Sequence, residues 1–238
     1  MFMTIVISCA AFGFLWFAVP FACRRLEERR LARMCRQMRA IVLSYDDGPS
    51  GQLSPDLIDL LDRHQARATV FMLGRNAERH PEMVERYRQG GHEIASHSQN
   101  HLNAWKSAPW AVWRDIAAGR RTLAGFGADA ALFRPPYGKV TLAGLLQAAV
   151  QRMRHAFWTV DSRDSWNRRP IDEVIAHVEA MGGGVVLMHD TDRAGRGPEP
   201  EKHAQYVLDL TQRLIDFAAA NGFRLMRFGD LTGSGAGR

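Results

Sequence analysis

Ala40-Ile41-Val42-Leu43-Ser44-Tyr45-Asp46-Asp47-Gly48-Pro49 decides the reading of this chain, because an apolar run delivers two adjacent carboxylates to a Gly-Pro turn. Side chains alternate faces along a strand, so an Asp pair placed where the backbone leaves a sheet splays apart. One carboxylate can then bind a metal while its neighbour stays free as a base. The same residue types also build Asx-turns and helix caps. The stretch therefore needs partners before chemistry is assigned to it.

Outward from this run, apolar strand-like segments alternate with segments of helical period, which argues for βα units and a mainly parallel sheet. Seven such runs are expected, at residues 40–45, 68–73, 92–96, 131–134, 156–160, 185–188 and 224–228. Helices are expected over 54–64, with Ser54 as cap and Pro55 at the first helical position, and over 81–89, 111–126, 142–152, 171–181 and 204–220. In a barrel of parallel strands the chemistry sits at the strands' C-terminal ends. The informative residues fall there repeatedly.

His97-Ser98-Gln99-Asn100-His101 follows the third run. If the segment turns helically, imidazoles four residues apart face one way at a separation that one ion bridges. A histidine is more often a hydrogen-bonded surface residue than a ligand, so the pair gains its weight from Asp47. Two nitrogens and one oxygen make a ligand set suited to catalytic zinc with an open position for water. Phe133-Arg134-Pro135-Pro136-Tyr137-Gly138 follows the fourth run. Arg134 either pairs with any nearby acid or holds Asp46 ionised and oriented, while the backbone N–H of Tyr137 serves an oxyanion. Asp161-Ser162-Arg163-Asp164-Ser165-Trp166 follows the fifth run, and Leu187-Met188-His189-Asp190 closes the sixth. An Asp161–His189 pair would raise the histidine pKa and ready it as an acid.

The 238 residues suffice for one large domain with a substantial core. No repeat period is visible, and the Gly/Ser-rich stretch 233–238 reads as disordered. Gly182-Gly183-Gly184 precedes a strand rather than a helix, so it reads as a turn and not as a phosphate loop. A net charge of +6 admits nucleic acid as a partner, but the arginines between Arg24 and Arg39 have no stacking aromatics among them, and no nucleic acid is expected. Arg24, Arg25, Arg29, Arg30, Arg33, Arg36 and Arg39 instead follow residues 2–23, an uncharged apolar stretch of the length a bilayer-spanning helix needs. No basic residue precedes it, which argues against a cleavable signal. The expected organisation is a transmembrane anchor over 1–23, a basic juxtamembrane segment over 24–39 that meets anionic lipid, a globular domain over 40–231 and a flexible tail over 232–238. By the positive-inside rule this is a single-pass inner-membrane protein with its domain in the cytoplasm. Cys9, Cys23 and Cys35 lie in or beside the anchor, so the domain has no cysteine for a disulfide. That suits a reducing compartment and equally a cysteine-free domain outside it.

Taken in order, the stretches around Asp46-Asp47, His97–His101, Arg134–Gly138, Asp161–Trp166 and Leu187–Asp190 resemble the five motifs of the polysaccharide deacetylase (NodB-homology) family, carbohydrate esterase family four. The resemblance runs roughly from Ala40 to Leu231. It implies an α/β fold, a distorted (β/α)7-type barrel of mainly parallel strands, here preceded by one N-terminal transmembrane helix. It also implies a metal-dependent hydrolase that removes an N-acyl group, N-acetyl foremost, from an amino sugar of a polysaccharide or lipid-linked glycan at the membrane. Motif by motif, Asp46 is implied as the base, and Asp47, His97 and His101 as ligands of a divalent metal, zinc foremost. Arg134 would orient Asp46, Tyr137 would help the oxyanion, His189 would be the acid tuned by Asp161, and Trp166 and Leu187 would line the acyl pocket. The alternatives are a deformylase or O-deacetylase of a lipid-linked sugar, or a catalytically silent sugar-binding member of the fold. Three departures stand out. Tyr45 replaces the family's phenylalanine and should leave the carboxylates in place. The fourth motif has one extra residue before Trp166, and Gln99-Asn100 within the histidine motif bears on the mouth of the site more than on the metal.

Overall fold

The structure, a computed structural model, describes residues 2–128, 131–192 and 202–233, with side chains from residue 13 onward. Residues 234–238 of the expected tail lie outside the described residues. The strands are β1 (Ala40–Asp46), β2 (Thr69–Met72), β3 (Glu93–Ser96), β4 (Leu132–Phe133), β5 (Arg154–His155), β6 (Val160–Asp161), β7 (Gly184–His189) and β8 (Arg224–Leu225). They pair in the order β5-β4-β3-β2-β1-β7-β6, with β8 beside the start of β1, and every pairing is parallel. β5 and β6 end the path, so the barrel is open between them. Six of the seven expected runs contain or overlap a strand of the sheet, whereas the run at 156–160 is strand only at Val160, the first residue of β6. β5 is additional and immediately precedes the expected run at 156–160.

The helices are α1 (Phe2–Met38), α2 (Leu53–Arg63), α3 (Gly74–Arg79), α4 (Pro81–Gln89), α5 (Pro109–Gly125), α6 (Leu142–Val150), α7 (Ile171–Met181), α8 (His203–Asn221) and α9 (Phe228–Thr232). Alternation along β1 sets the two layers of core. Ile41, Leu43 and Tyr45 point outward into a cluster with Leu57 and Leu61 of α2, Val174 and Val178 of α7 and Leu210 and Leu214 of α8. Ala40 and Val42 point inward and pack with Phe71, Ala95 and Val185. The same inward ladder ends in Ser44 and Asp46, which carries the strand's chemistry into the barrel mouth. Ser54 does not cap α2, and Pro55 is not its first residue. The N–H groups of Gly51, Gln52 and Leu53 at the helix start donate instead to the Asp192 carboxylate, at 3.0–3.2 Å, from the loop after β7.

The N-terminal expectation is corrected. Phe2–Met38 is one continuous helix, with no break at residue 23. Among the described residues no helix is long and apolar enough to cross a membrane. That finding overturns the transmembrane helix placed ahead of the barrel, the anchor over 1–23 and the single-pass inner-membrane placement with a cytoplasmic domain. The reading of 24–39 as a lipid-facing segment loses its basis with them. The physical reason lies in where the arginine-rich half is laid. Leu31 and Cys35 are fully buried and pack with Ala40, Val42, Phe71 and Val185 on the inward face of the sheet. A guanidinium donates to a peptide carbonyl as readily as to a lipid phosphate. Here Arg24 donates to Gly138 O at 2.7 Å, Arg36 to Met181 O at 3.1 Å and Arg39 to Asn221 O at 2.6 Å.

Candidate active site

Asp47 leaves β1 with φ at 72°, a left-handed conformation that turns its carboxylate away from that of Asp46. Asn76 holds this turn by donating to Asp47 O at 2.6 Å, and Leu73 N donates to Gly48 O at 3.0 Å. His97 follows β3 and His101 lies four residues on. The segment between them does not turn helically, since Ser98 and His101 have φ of 73° and 63°. Buried Asp115 of α5 fixes the loop instead, accepting from Asn100 N at 3.0 Å and Asn100 Nδ2 at 2.8 Å. Gln99 bonds Glu78 and Thr122. Both amides thus bind the protein and do not shape the mouth of the site.

The two rings still converge, with centroids 5.0 Å apart. Asp47 Oδ1 lies 3.6 Å from His97 Nε2 and 3.3 Å from His101 Nε2. Ligand atoms about 2.0–2.1 Å from a tetrahedral ion are about 3.3 Å apart, so these separations fit a single zinc-sized ion. Asp47 Oδ1 is buried and without a hydrogen-bond partner, a costly state unless something positive meets it. His97 Nδ1 donates to Arg134 O at 2.7 Å, which fixes the tautomer and leaves the Nε2 lone pair toward Asp47. Burial, then the neighbouring His101 ring, pull His97 down to about 3, and burial lowers His101 too. Both imidazoles therefore stay neutral, the form that binds metal. The residues present fit a divalent ion.

Asp46 stands 3 % exposed at the end of the inward ladder. Its Oδ1 accepts from Arg134 Nη1 at 2.8 Å, and its Oδ2 faces the triad, 3.7 Å from His97 Nε2. Arg134 is fully buried over the Phe71 ring, 3.9 Å from its centroid, and donates also to Ser44 Oγ and Ala156 O. Burial pushes the Asp46 pKa up, and Arg134 pulls it back without cancelling that rise. Asp46 sits in parallel register with His189 on β7, so the two side chains share the inward face.

The carboxylate that meets His189 is Asp164, not Asp161. Asp164 Oδ1 accepts from His189 Nδ1 and its Oδ2 from the His189 backbone N, both at 2.8 Å. Burial pulls the His189 pKa down, but Asp164, then Asp47 and Asp46, outweigh it and raise it to about 9. Asp161 accepts from Arg163 N at 2.9 Å and so shapes the turn. Two acids three residues apart were visible in the sequence, but the left-handed Arg163 between them (φ 56°) decides which one reaches the imidazole.

Tyr137 forms a tight turn over Pro136–Gly138 with φ at 58°, and its ring lies 4.4 Å from that of His101. A cleft of about 690 Å³ opens beside the triad, lined among others by Asp47, Arg75, Asn76, Arg79, His101 and Tyr137. Leu187 is 5 % exposed on β7, in register with Asp161, and Trp166 is 59 % exposed with Arg163 over its ring. Neither is among the residues lining the cleft. Asp190 is an acid that the sequence reading left without a role. Fully buried behind the Asp46–Pro49 turn, it accepts from Ser50 Oγ, Ser54 Oγ and Tyr87 Oη at 2.6–3.1 Å. Its own N–H donates to Asp46 O at 2.8 Å.

A family model described as polysaccharide deacetylase matches residues 33–155. A peptidoglycan-N-acetylglucosamine deacetylase of Bacillus cereus is 33% identical over 156 residues, 64% of this chain and 73% of that protein. A chitooligosaccharide deacetylase of Bradyrhizobium sp. is 32% identical over 156 residues, 64% and 71% of the two chains. The crystal structure of the Bc1960 peptidoglycan N-acetylglucosamine deacetylase superposes with a TM-score of 0.71 at 28% identity, covering 82% of this chain and 89% of that one.

Proposed function

This chain belongs to the polysaccharide deacetylase family, and from that premise we propose that it removes N-acetyl groups from N-acetylglucosamine units of a glycan, with zinc as its metal. It is a metal-dependent hydrolase of carbon–nitrogen bonds other than peptide bonds, acting on an acylated amino sugar. The observation that carries the reading is the Asp47, His97 and His101 triad, whose ligand atoms lie within 4.8 Å of one another, with Asp46 and His189 beside it. Two imidazole nitrogens and one carboxylate oxygen favour zinc over a hard cation, which prefers oxygen alone. The names of the two curated relatives supply the sugar.

A divalent ion at the triad supplies a Lewis acid for the acyl carbonyl and lowers the pKa of a water. Asp46 Oδ2 takes the proton of the attacking water, because Oδ1 is already engaged by Arg134. The Tyr137 N–H is the protein's donor to the oxyanion that develops on the acyl oxygen. An amide nitrogen leaves poorly unless protonated. His189 delivers that proton from Nε2, since Nδ1–H is held by Asp164. The C–N bond then breaks to give acetate and a free amine.

The test is acyl release and metal content measured together on the purified full chain and on Asp46→Asn. N-acetylglucosamine oligomers are expected to yield acetate, with about one zinc bound per chain. Asp46→Asn should keep its metal and lose about 10³-fold in kcat, within the range for a general base. Formate from N-formyl sugars, or acetate only from O-acetyl sugars, would replace the N-acetyl assignment. Absence of bound zinc would remove the triad's role.

A further inference from the structure

We propose that Arg24, on the N-terminal helix, is a positioning residue for the reaction: it locks the Tyr137–Gly138 turn that presents the oxyanion donor. The inference rests on the reading of the Tyr137 N–H given above, and it concerns a residue outside the stretch 33–155 matched by the family model. Tyr137 and Gly138 are consecutive left-handed residues, with φ of 58° and 62°. For tyrosine this conformation is unfavourable and persists only where the surroundings over-determine it. Within the turn, Gly138 N donates to Pro135 O at 2.9 Å and Lys139 N to Pro136 O at 3.0 Å. The Gly138 carbonyl points the other way, and Arg24 Nη1 donates to it at 2.7 Å.

The fit around Gly138 has no slack. A Cβ added there would stand 2.5 Å from Arg24 Nη1 and 2.7 Å from the Trp158 ring. Arg24 is itself held on two sides. Its Nε pairs with Glu28 Oε1 at 2.7 Å, and its guanidinium lies 4.9 Å from the Trp158 centroid and 5.4 Å from that of Phe157. This is a partly buried, pre-oriented donor rather than a free surface arginine. The Trp158 ring also carries Arg134, 5.7 Å from its centroid, and Arg134 orients Asp46. One indole thus backs both the oxyanion turn and the arginine behind the base. An arginine that merely staples α1 to the barrel would change stability and leave turnover per folded molecule alone. Arg24 differs in grasping the residue next to the donor.

Full-length Arg24→Ala, Arg24→Lys and Glu28→Gln separate these roles through steady-state kinetics on N-acetylglucosamine oligomers, metal content and deuterium exchange at single amides. In Arg24→Ala, kcat should fall about 10- to 100-fold, less than the ~10²–10³ lost when an oxyanion donor is removed outright. KM should stay within about twofold, because ground-state binding is untouched, and metal content should be unchanged. The Gly138 and Lys139 amides should exchange faster, while those of β1 and β7 keep their wild-type rates. Added ethylguanidinium should restore part of kcat in the alanine variant. Arg24→Lys should fall between the two, and Glu28→Gln should show the same changes more weakly should the alanine variant not fold. Unchanged exchange at Gly138 and Lys139 would overturn the role of Arg24, and it can be read even without turnover. Faster exchange with wild-type kcat would overturn both the positioning role and the reading of the Tyr137 N–H. Wild-type exchange together with loss of acetate release in Asp46→Asn would remove Arg24 alone.

Discussion

β1 and α1 meet at Arg39 and enter the site by opposite routes. β1 is seven residues long and buried throughout, and it carries Asp46 into the barrel mouth on its own backbone. α1 is 37 residues long, places Leu31 and Cys35 in the core, and reaches the site through Arg24 at the Gly138 carbonyl. A strand in the middle of a sheet has its neighbours fixed by register. The β1–β7 pairing alone brings Asp46 beside His189. A helix lying on a sheet takes its contacts from whatever it is laid against. Changes at the strand ends should therefore act on the chemistry in large steps, and changes along α1 other than at Arg24 should act in graded amounts on stability.

The largest effect is expected where β7 ends. Asp164→Asn removes the strongest influence raising the His189 pKa, so that burial, the largest single influence, is opposed only by Asp47 and Asp46. In the proposed mechanism His189 must be protonated to serve the leaving amine. With a pKa of about 9, the rate should hold through neutral pH and fall only as pH rises through about 9. In Asp164→Asn that alkaline limb should move to about pH 6 or below, and kcat at pH 8 should drop about 10²-fold or more. Asp161→Asn is the matched control and should leave the limb in place. If Asp161→Asn moves it instead, the pairing seen here is wrong.

That pair also marks where sequence reading stops. Asp46-Asp47, His97, His101, Arg134 and His189 were legible because each ends or follows an apolar run, and strand ends are where a parallel barrel gathers its chemistry. The choice of Asp164 over Asp161 was not legible. It depends on a left-handed residue, Arg163, and nothing about arginine announces that conformation. Asp190 went unassigned for a related reason: its three hydroxyl partners come from residues 50, 54 and 87, on separate elements. The expected transmembrane anchor failed on a different ambiguity. An apolar stretch followed by arginines has the same composition whether those arginines meet lipid phosphate or the protein's own carbonyls, and only packing separates the two.

Along α1, Leu31→Ala should cost about 3 kcal/mol of unfolding free energy, as for other fully buried leucines. Urea denaturation followed by circular dichroism would measure it, and kcat per folded molecule should stay within about twofold. The contrast with Asp164→Asn is the point of the measurement: stability is lost with little change in chemistry at Leu31, and the reverse holds at Asp164. A Leu31→Ala protein of wild-type stability would mean that the arginine-rich half of α1 does not belong to the core.

The smallest effect is expected at Phe17, nearer the start of the same helix. Phe17 is 48 % exposed and meets Trp105 edge-to-face at 5.8 Å, with the rings at 81°. Trp105 is tied to the barrel through Val140 O, to which its indole N–H donates at 3.1 Å, and through Lys139 above its ring. An aromatic pair of this geometry contributes about 0.5–1.5 kcal/mol beyond burial, and its exposure puts this one at the low end. Phe17→Ala should therefore lower the melting midpoint by about 1–2 °C for a chain of this size. Differential scanning calorimetry would resolve that shift. The two substitutions on α1 then grade the helix, with about sixfold more free energy at Leu31 than at Phe17. Equal losses at the two positions would make α1 one uniform part of the core. The split between a half built into the barrel and a more lightly held half would then be false, and the arginine-rich half would no longer be special in stability, its link to the site through Arg24 apart.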